Sequence, residues 1–520
     1  MNVSRWKWIA LSIGTGLVLL MLAMGWLERH RGEKRLEEVR RALLAKGAKF
    51  TWQEIAPPPP PPDENGYGDM MQAMAGFSGI AWATDHSPRY LLTTNGRAIL
   101  WQHVPRWRIS TEFPNVETNQ VTWEQWRAHL ASMKAPLDEA RAAINKPYLD
   151  GRPNYAAGIR MPLPHLAPIK RVANCLSAQA NSDLQAGHLD DAVENLESML
   201  RLARHLSREP LLISQLVQIA IQAMSIPVTW QLIHSRNLNS NQLARLQRSW
   251  TEDPVHQALA SGLVGERVFN LNAFDLARAA NSNFLAIVEN SFMNASATTP
   301  TDFFEFVAAA GPQTGRSARA LLWRHIFWPG DQAFMFESVQ SMIEIHEMAA
   351  RGKSFKALSS QLEASTNALL RLRDQTLFGN LRTTMSELVS PSLTTTLRRG
   401  NRAECQRRLA ITAIALQRHY LSQGRYPTSL EALVPAYLSS SWTDPYDGQP
   451  LRYTCLGTGE EFRLYSVGED LVDDGGRIEP KSPSTRRLSM WQAFTGSPDV
   501  VWPMPAGEAE ARSMLSSEGE

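Results

Sequence analysis

The sequence predicts a mainly α protein with an N-terminal transmembrane helix, an α-helical body and a small C-terminal α+β domain. A run of twenty residues without a charge, 8–27, is long enough to span a bilayer as a helix. Apolar residues recur at helical spacing through most of 120–400. A helical pattern followed by two short strand patterns occupies 403–476. These three observations determine the predicted fold class.

Composition limits both the architecture and the partners. The chain has 520 residues, enough for two to four domains at about 100–200 residues each. It carries 53 Lys and Arg against 51 Asp and Glu, a balance that argues against a nucleic-acid partner. Cys175, Cys405 and Cys455 form neither a disulfide framework nor a metal knuckle. We expect them to be buried as small apolar side chains, although one pair could bridge in an oxidising compartment.

The apolar run 8–27 has the properties of an uncleaved membrane anchor. At 1.5 Å per residue it spans about 30 Å, the thickness of the hydrocarbon core. Trp8 and Trp26 lie at its ends, where aromatic residues contact the interface. A cleaved signal peptide is the alternative, but the run is long for one and 25–28 lacks a small-residue cleavage site. Residues 1–7 then form a cytoplasmic tail.

The orientation of the anchor stays open from the residues alone. A short N-terminal tail normally remains in the cytoplasm, which would place the body outside. The flank after the run is basic, however, and the positive-inside rule assigns such a flank to the cytoplasm. Its basic residues are Arg29, Arg31, Lys34, Arg35, Arg40 and Arg41.

Residues 28–62 are expected to separate the anchor from the body. A charged helix over 33–46 should continue the anchor and end at Gly47. Six consecutive prolines, 57–62, favour polyproline II and predict a stiff spacer of about 19 Å. An SH3-type ligand is the alternative interpretation of the prolines.

The body, 63–400, contains one helical pair with a distinctive turn. Helices are predicted over 169–186 and 189–206, with small residues at their contact and Gly187 in the turn. The turn resembles that of a tetratricopeptide repeat. A single repeat cannot bury its own face and no second copy follows at a period of 34, which favours a generic helical hairpin. Further helices are predicted over 123–145, 254–279, 332–350 and 354–374, with a loop in 294–316.

Residues 211–234 are apolar almost all round and predict a buried core helix. Their length would also suit a second membrane span. Pro227 and the glutamines within the segment argue against that alternative. These glutamines are Gln215, Gln218, Gln222 and Gln231.

Enzyme motifs are missing from the sequence. His346 opens a segment similar to the zincin helix, but Ala350 stands where the second histidine is needed, which favours a surface helix. Residues 311–317 have the glycines of a phosphate loop with the wrong spacing and an Arg in place of Lys, which favours a flexible loop. Catalytic groups can still converge from distant positions, so an enzyme is disfavoured but not excluded.

The predicted C-terminal domain, 401–482, consists of a helix packed on a small antiparallel sheet. An apolar helical face ends at Gly424, and turn residues fill 444–448. Strands are predicted over 451–455 and 461–467, joined by a glycine-rich hairpin. The remaining tail, 483–520, is rich in Gly, Pro, Ser and Glu and is expected to be poorly ordered.

This C-terminal segment resembles the globular domain of type II secretion major pseudopilins over about 70 residues. The matching segments, in order, are 413–420, 424–428, 430–434, 444–448, 451–453 and 462–468. The resemblance implies a pseudopilin-like α+β fold and an inner-membrane protein whose bulk is periplasmic. A pseudopilin carries its hydrophobic helix and leader directly before this domain, whereas here the preceding helix is soluble. The resemblance therefore implies a pilin-like domain and not a pilin subunit.

The resemblance also implies a calcium site in the loop after the last predicted strand. The matching positions are Asp470, Asp473 and Asp474, with a backbone carbonyl near Ser466. Three carboxylates on a short loop suit a hard cation that prefers oxygen ligands. The loop is shorter than in pseudopilins, and an ordinary acidic surface loop is the alternative.

Residues 46–65 resemble a group of uncharacterised bacterial single-pass membrane proteins, a resemblance that implies no activity. We therefore expect a membrane-anchored envelope protein that acts as a non-enzymatic scaffold or assembly factor and binds other envelope proteins. One alternative is a membrane-tethered hydrolase with a dispersed site in the helical body. The other is a calcium-stabilised binding module. A polar cluster converging in a helical cleft would favour the hydrolase, and an exposed apolar groove would favour the scaffold.

Overall fold

The structure is a computed structural model that describes residues 3–77, 92–93, 95–108, 120–252, 255–279, 321–374, 382–478 and 499–517. Helices make up 68% and strands 6%, which confirms the mainly α class. The loop predicted in 294–316, including the glycine segment 311–317, lies outside the described residues.

The helices before the proline segment and in the first part of the body are mostly short. In chain order they are α1 (Val3–Ala45), α2 (Trp52–Ile55), α3 (Tyr67–Ala75), α4 (Trp123–Ala131) and α5 (Lys134–Asn145). Those that follow are α6 (Leu166–Ala186), α7 (Leu189–Ser207), α8 (Leu212–His234), α9 (Ser240–Thr251) and α10 (Val255–Ala279). The last described helices are α11 (Trp328–Ala350), α12 (Phe355–Asp374), α13 (Thr384–Gln423) and α14 (Glu508–Ser517).

Two small antiparallel sheets complete the described fold. The first pairs β1 (Arg106–Arg108) with β2 (Gln120–Thr122). The second has the order β3-β4-β5, formed by Arg452–Leu456, Glu461–Ser466 and Val500–Trp502. Strands β3 and β4 form the predicted hairpin, with Cys455 opposite Phe462.

The body is organised around the α6–α7 hairpin and α8. Gly187 ends α6 in the left-handed region at φ 83°, a conformation that glycine adopts without a steric penalty. The hairpin and its turn therefore form as predicted, with α6 starting three residues earlier than expected. The predicted 123–145 helix is instead divided into α4 and α5 at Ser132–Met133.

Helix α8 is a core helix, as its sequence predicts. It is long and apolar enough to cross a membrane, but 67% of its apolar window is buried in the protein, against 0% for the N-terminal candidate. Its glutamines satisfy buried backbone groups: Gln215 Nε2 donates to the Glu209 carbonyl at 2.6 Å, and Gln231 Oε1 accepts from the Trp101 amide at 3.0 Å. Such bonds compensate for burying amides in an apolar helix.

Helix α1 is continuous through the apolar run and the charged segment, and its second half belongs to the body. Leu43 is buried, and Arg35 and Lys46 form ion pairs with Glu337 and Glu344 of α11 at 2.6 and 2.9 Å. The segment after the helix continues into the core, where Phe50 and Trp52 are buried. The prolines that follow therefore do not separate the anchor from the body, contrary to the expectation for 28–62.

This packing predicts the effect of two N-terminal truncations. A chain that starts at Glu28 retains the buried residues of 28–62 and should be soluble and folded. A chain that starts at Asp63 loses burial of Leu43, Phe50 and Trp52, at roughly 1.5–3 kcal/mol for each large apolar side chain. It should unfold at a lower temperature, by about 5–9 °C, because a chain of this length has an unfolding entropy of about 1 kcal/mol/K. Thermal denaturation followed by circular dichroism compares the two chains, and equal midpoints would contradict this packing.

The structure also differs from the predicted C-terminal boundaries. Helix α13 crosses the boundary at residue 400 without interruption, and one continuous hydrophobic core joins residues on both sides of it. Within the tail predicted to be poorly ordered, 499–517 form β5 and α14. Strand β5 is ordered because it extends the sheet and Trp502 is buried beside α8, where its indole donates to His234 Nε2 at 3.0 Å. The C-terminal helix and sheet therefore form one unit with the body.

Candidate functional site

The first candidate site is the α1–α11 junction, where the apolar helix joins the body. Backbones approach closely there, since a β-carbon at Gly32 would lie 2.9 Å from the Gly330 nitrogen. Similarly, a β-carbon at Gly25 would lie 3.0 Å from Ile326 Cδ1. Further along, Arg35 pairs with Glu337. The residue numbers rise together on both helices, so α1 and α11 run parallel.

Helix α13 is joined to the same junction by a buried carboxylate. Asp331 of α11 accepts from the backbone amides of Met385 and Ser386 at 2.8 and 3.1 Å, and from the Trp323 indole at 2.7 Å. Its carboxylate thus caps the first turn of α13 from another helix, satisfying amides that have no partner within the helix. Burial raises the pKa of Asp331 to about 6 despite these bonds. Nearby, Arg382 pairs with Glu28 of α1 at 2.8 Å.

The second candidate site is the C-terminal unit, formed by the end of α13 and the sheet β3-β4-β5. Its turn is organised by Asp444, which is fully buried. One carboxylate oxygen accepts from the Tyr446 amide and the Ser466 hydroxyl at 2.9 and 2.8 Å, and the other accepts from the Val467 amide at 2.9 Å. The turn residues predicted from the sequence therefore connect the helix side of the unit to the end of β4.

The three predicted calcium ligands lie in the loop after β4, where Asp470 and Asp473 make separate local contacts. Asp473 Oδ1 accepts from the Tyr465 hydroxyl at 2.9 Å, and Asp473 Oδ2 lies 3.5 Å from Arg452 Nε. Asp470 caps its own turn through the Val472 amide at 3.1 Å. In the described part of the chain, no group of three or more His, Cys, Asp or Glu side chains is arranged to hold a metal. Binding by Asp470, Asp473 and Asp474 would need this loop to rearrange, and the calcium site stays a prediction.

Calcium binding can be tested on the whole chain, because the C-terminal unit shares its core with the body. If the loop binds calcium, millimolar Ca²⁺ should raise the unfolding midpoint relative to chelator, since a ligand specific for the folded state stabilises it. Asp473→Ala should reduce that difference, whereas Asp138→Ala, an exposed acid on α5, should leave it unchanged. Coincident midpoints with calcium and chelator would identify an ordinary acidic loop.

A buried ion triad lies where α13 meets the C-terminal turn. Arg407 binds both carboxylate oxygens of Glu404 at 2.8 and 2.9 Å, and Arg408 donates to the same carboxylate at 2.7 Å. Both guanidinium groups also lie over the Trp442 ring, at 5.2 and 5.4 Å from its centroid. Burial alone would raise the pKa of Glu404, but the two arginines outweigh it and lower the value to about 2. These charges are enclosed and compensated, which is the arrangement of a structural cluster.

Two histidines that are distant in sequence form a second buried cluster. His256 Nδ1 of α10 lies 3.0 Å from His346 Nδ1 of α11, and His346 Nε2 lies 3.1 Å from the Thr396 hydroxyl of α13. One Nδ1 must donate to the other, so both rings fit best as neutral imidazoles. Burial lowers the pKa of His256 to about 4 and that of His346 well below its ordinary value. The interpretation of the helix around His346 as a surface helix is wrong at this residue, which is fully buried.

A third cluster comes nearest to a hydrolase constellation. Glu209 accepts a hydrogen bond from the Ser214 hydroxyl, and its carboxylate lies 3.0 Å from His165 Nε2. A serine nucleophile needs a base beside it that a third group orients, commonly a histidine held by a carboxylate. Here the carboxylate lies between the other two groups, and Ser214 has no exposed surface. The cluster holds the start of α6 against the α7–α8 turn and offers no opening to a substrate.

Sequence reasoning missed all three clusters. The histidine pair and the Glu209 cluster draw their members from different elements of the fold. Glu404, Arg407 and Arg408 lie on α13 alone, at the i, i+3 and i+4 spacing that could have indicated their pairing. The cysteines were easier to predict. Cys175 and Cys405 are buried free thiols as expected, while Cys455 is half-buried on β3.

Comparison with known proteins adds no assignment, since no protein-family model, no curated protein and no solved structure matches this chain.

Proposed function

We propose that this chain is a membrane-anchored, non-enzymatic scaffold of the cell envelope. In this proposal residues 8–27 span the inner membrane and the pseudopilin-like C-terminal unit binds other envelope proteins outside it. Helix α13 also runs parallel to α11, since Asp331 contacts Met385 and His346 contacts Thr396 further along both helices. The observation that carries the proposal is this parallel set of α1, α11 and α13, tied at one end by the α1–α11 junction and the Asp331 cap. Helix α13 has 40 residues and reaches about 60 Å, so the set can present the unit at a fixed height above a bilayer.

The distribution of surface and charge supports a binding role over catalysis. Among the described residues, exposed large apolar side chains are concentrated on α1 between Trp8 and Leu27. The convergent ionisable groups, by contrast, are buried and paired in structural contacts, as the Glu404 triad is. Strand β3 lies at the edge of its sheet and has an exposed side chain at Thr454. A sheet edge can pair with a strand of another protein.

Crosslinking in the native membrane tests the binding role. A photoreactive amino acid at Thr454 of the full chain should give a discrete adduct with a second envelope protein. The same residue at Arg351, an exposed position beyond the end of α11, is the matched control and should give none. Adducts at neither position, or the same adducts at both, would contradict the proposal.

Topology is tested separately with a protease added to spheroplasts. An uncleaved anchor with an external body predicts digestion of everything after α1, while the N-terminus of the mature chain remains that of the gene product. Protection of the body in intact spheroplasts would reverse the orientation. A mature N-terminus beyond Leu27 would exclude the anchor.

A further inference from the structure

A pair of exposed leucines lies next to the α1–α11 junction. Leu321 and Leu322 precede the helical turn Trp323–Phe327, which continues directly into α11. Both leucines are exposed, at 57% and 41% of their surface. Outside α1 they form the only adjacent pair of exposed large apolar side chains in the described residues; the others, Tyr148, Leu421 and Val472, are isolated.

Their height relative to α1 follows from the contacts at the junction. Ile326 packs against Gly25, and Arg29 Nη1 donates to the His325 carbonyl at 3.2 Å. Because the helices run parallel, each residue before Ile326 lies about 1.5 Å further toward the N-terminal end of α1. Leu322 therefore lies about 6 Å beyond the level of Gly25, inside the uncharged run that ends at Leu27.

We propose that residues 321–328 form a second membrane contact, in which Leu321 and Leu322 insert into the edge of the hydrocarbon core beside α1. The inference rests on the proposed anchoring by α1. The occupant of this exposed apolar surface is the bilayer, because the surface is continuous with the lipid-facing side chains of α1.

The groups around the two leucines suit the interface. Trp328 follows six residues after Leu322 and has the Arg278 guanidinium 3.8 Å from its ring centroid. Indole rings favour the headgroup level. Arg31 of α1, 67% exposed, lies on the solvent side of the apolar run, where a guanidinium can contact lipid phosphate. The order along the junction is therefore apolar, then aromatic and basic, as in a membrane interface.

The close Gly32–Gly330 approach makes this contact rigid. A side chain at Gly32 would force the helices apart, whereas a β-carbon at Gly330 would lie at an ordinary 3.9 Å from Gly32 Cα. The close contact at Gly32 and the Arg35–Glu337 and Lys46–Glu344 ion pairs hold α11 against α1. Two membrane contacts on one rigid pair of helices would fix the orientation of the body on the bilayer. A single helix with a flexible spacer would leave that orientation free.

Depth-dependent fluorescence quenching tests the inference on the full chain in liposomes. Variants in a Cys455→Ser background, in which Cys175 and Cys405 stay buried, carry a bimane label at one introduced cysteine: Leu322→Cys, Val18→Cys or Leu421→Cys. Leu421 is the matched control because its exposure, 42%, equals that of Leu322 within one per cent, and it lies near the far end of α13. Lipids with a doxyl group near the headgroup end of the acyl chain serve as quenchers for Leu322, and lipids with a doxyl group near the end of the chain serve as quenchers for Val18; Leu421 is measured with both. Circular dichroism confirms that each variant is folded.

We expect several-fold stronger quenching at Val18 and Leu322 than at Leu421. Quenching at Val18 with none at Leu322 would overturn the second contact and leave the anchor intact. No quenching at Val18 would overturn the anchor, and the inference with it.

Discussion

Replacing Glu404 with alanine should destabilise the protein by about 3–5 kcal/mol, the cost expected when one partner of a buried ion cluster is removed. The variant leaves the guanidinium groups of Arg407 and Arg408 enclosed, with side chains only 7% and 10% exposed, and removes the carboxylate that both of them bind. Their other contacts include the Trp250 carbonyl, the Thr443 carbonyl and hydroxyl, and the Trp442 ring, which carry no full charge. Chemical denaturation of the chain that starts at Glu28 measures the change.

The matched control is Glu347→Ala, which removes the partner of Arg351 from an exposed pair on α11. Exposed pairs contribute about 0–1 kcal/mol, so this variant should stay close to the wild type. If Glu404→Ala lowers the free energy of unfolding no more than Glu347→Ala does, the triad is accessible to water. Restoration of stability by apolar substitution of all three residues would agree with the cost of burying charge.

Local sequence patterns predicted the elements whose signals lie within one segment. The α6–α7 hairpin was predictable because Gly187 and the small contact residues are local, and α8 because it is apolar on every side. The β3–β4 hairpin was predictable from its glycines. Strand β5 was not, since it is three residues long and is stabilised by a sheet and a helix that lie far from it in sequence.

Periodicity identifies a buried face but not the helix that the face meets. His256 and His346 are 90 residues apart, and Asp331 lies 54 residues before the amide of Met385 that it caps. No sequence spacing connects such pairs. The proline segment misled for a related reason: 57–61 form neither helix nor strand, but Phe50 and Trp52 before them are buried in the body. An extended segment is a domain boundary only if few contacts cross it, and contacts are not visible in a single sequence.

Acidification between pH 6.5 and 4 should destabilise the protein through His256. The pKa of His256 is lowered by burial to about 4 in the folded chain, against about 6.5 in the unfolded chain. The charged groups facing His256 have partly cancelling effects on its pKa, since Glu404 raises the pKa while Arg408 and Arg407 lower it. Between these two pKa values the unfolded state binds more protons, so stability is full above pH 6.5 and falls as the pH falls. Linkage gives about 2 kcal/mol at pH 5 for this one residue.

Buried acids change the stability in the opposite direction as the pH falls. The pH dependence of the free energy of unfolding of the wild type therefore does not isolate the contribution of His256. Burial raises the pKa of Asp331 and Asp499 to about 6, and the folded state gains protons there as the pH falls. The comparison is therefore between wild type and His256→Asn, whose amide can donate to His346 Nδ1 without taking up a proton. Denaturation of both chains at pH 7 and pH 5 should show the wild type losing about 2 kcal/mol more than the variant. The control is His188→Asn, at the exposed turn between α6 and α7, which should keep the pH dependence of stability of the wild type. If His256→Asn also keeps the wild-type pH dependence, His256 is solvated.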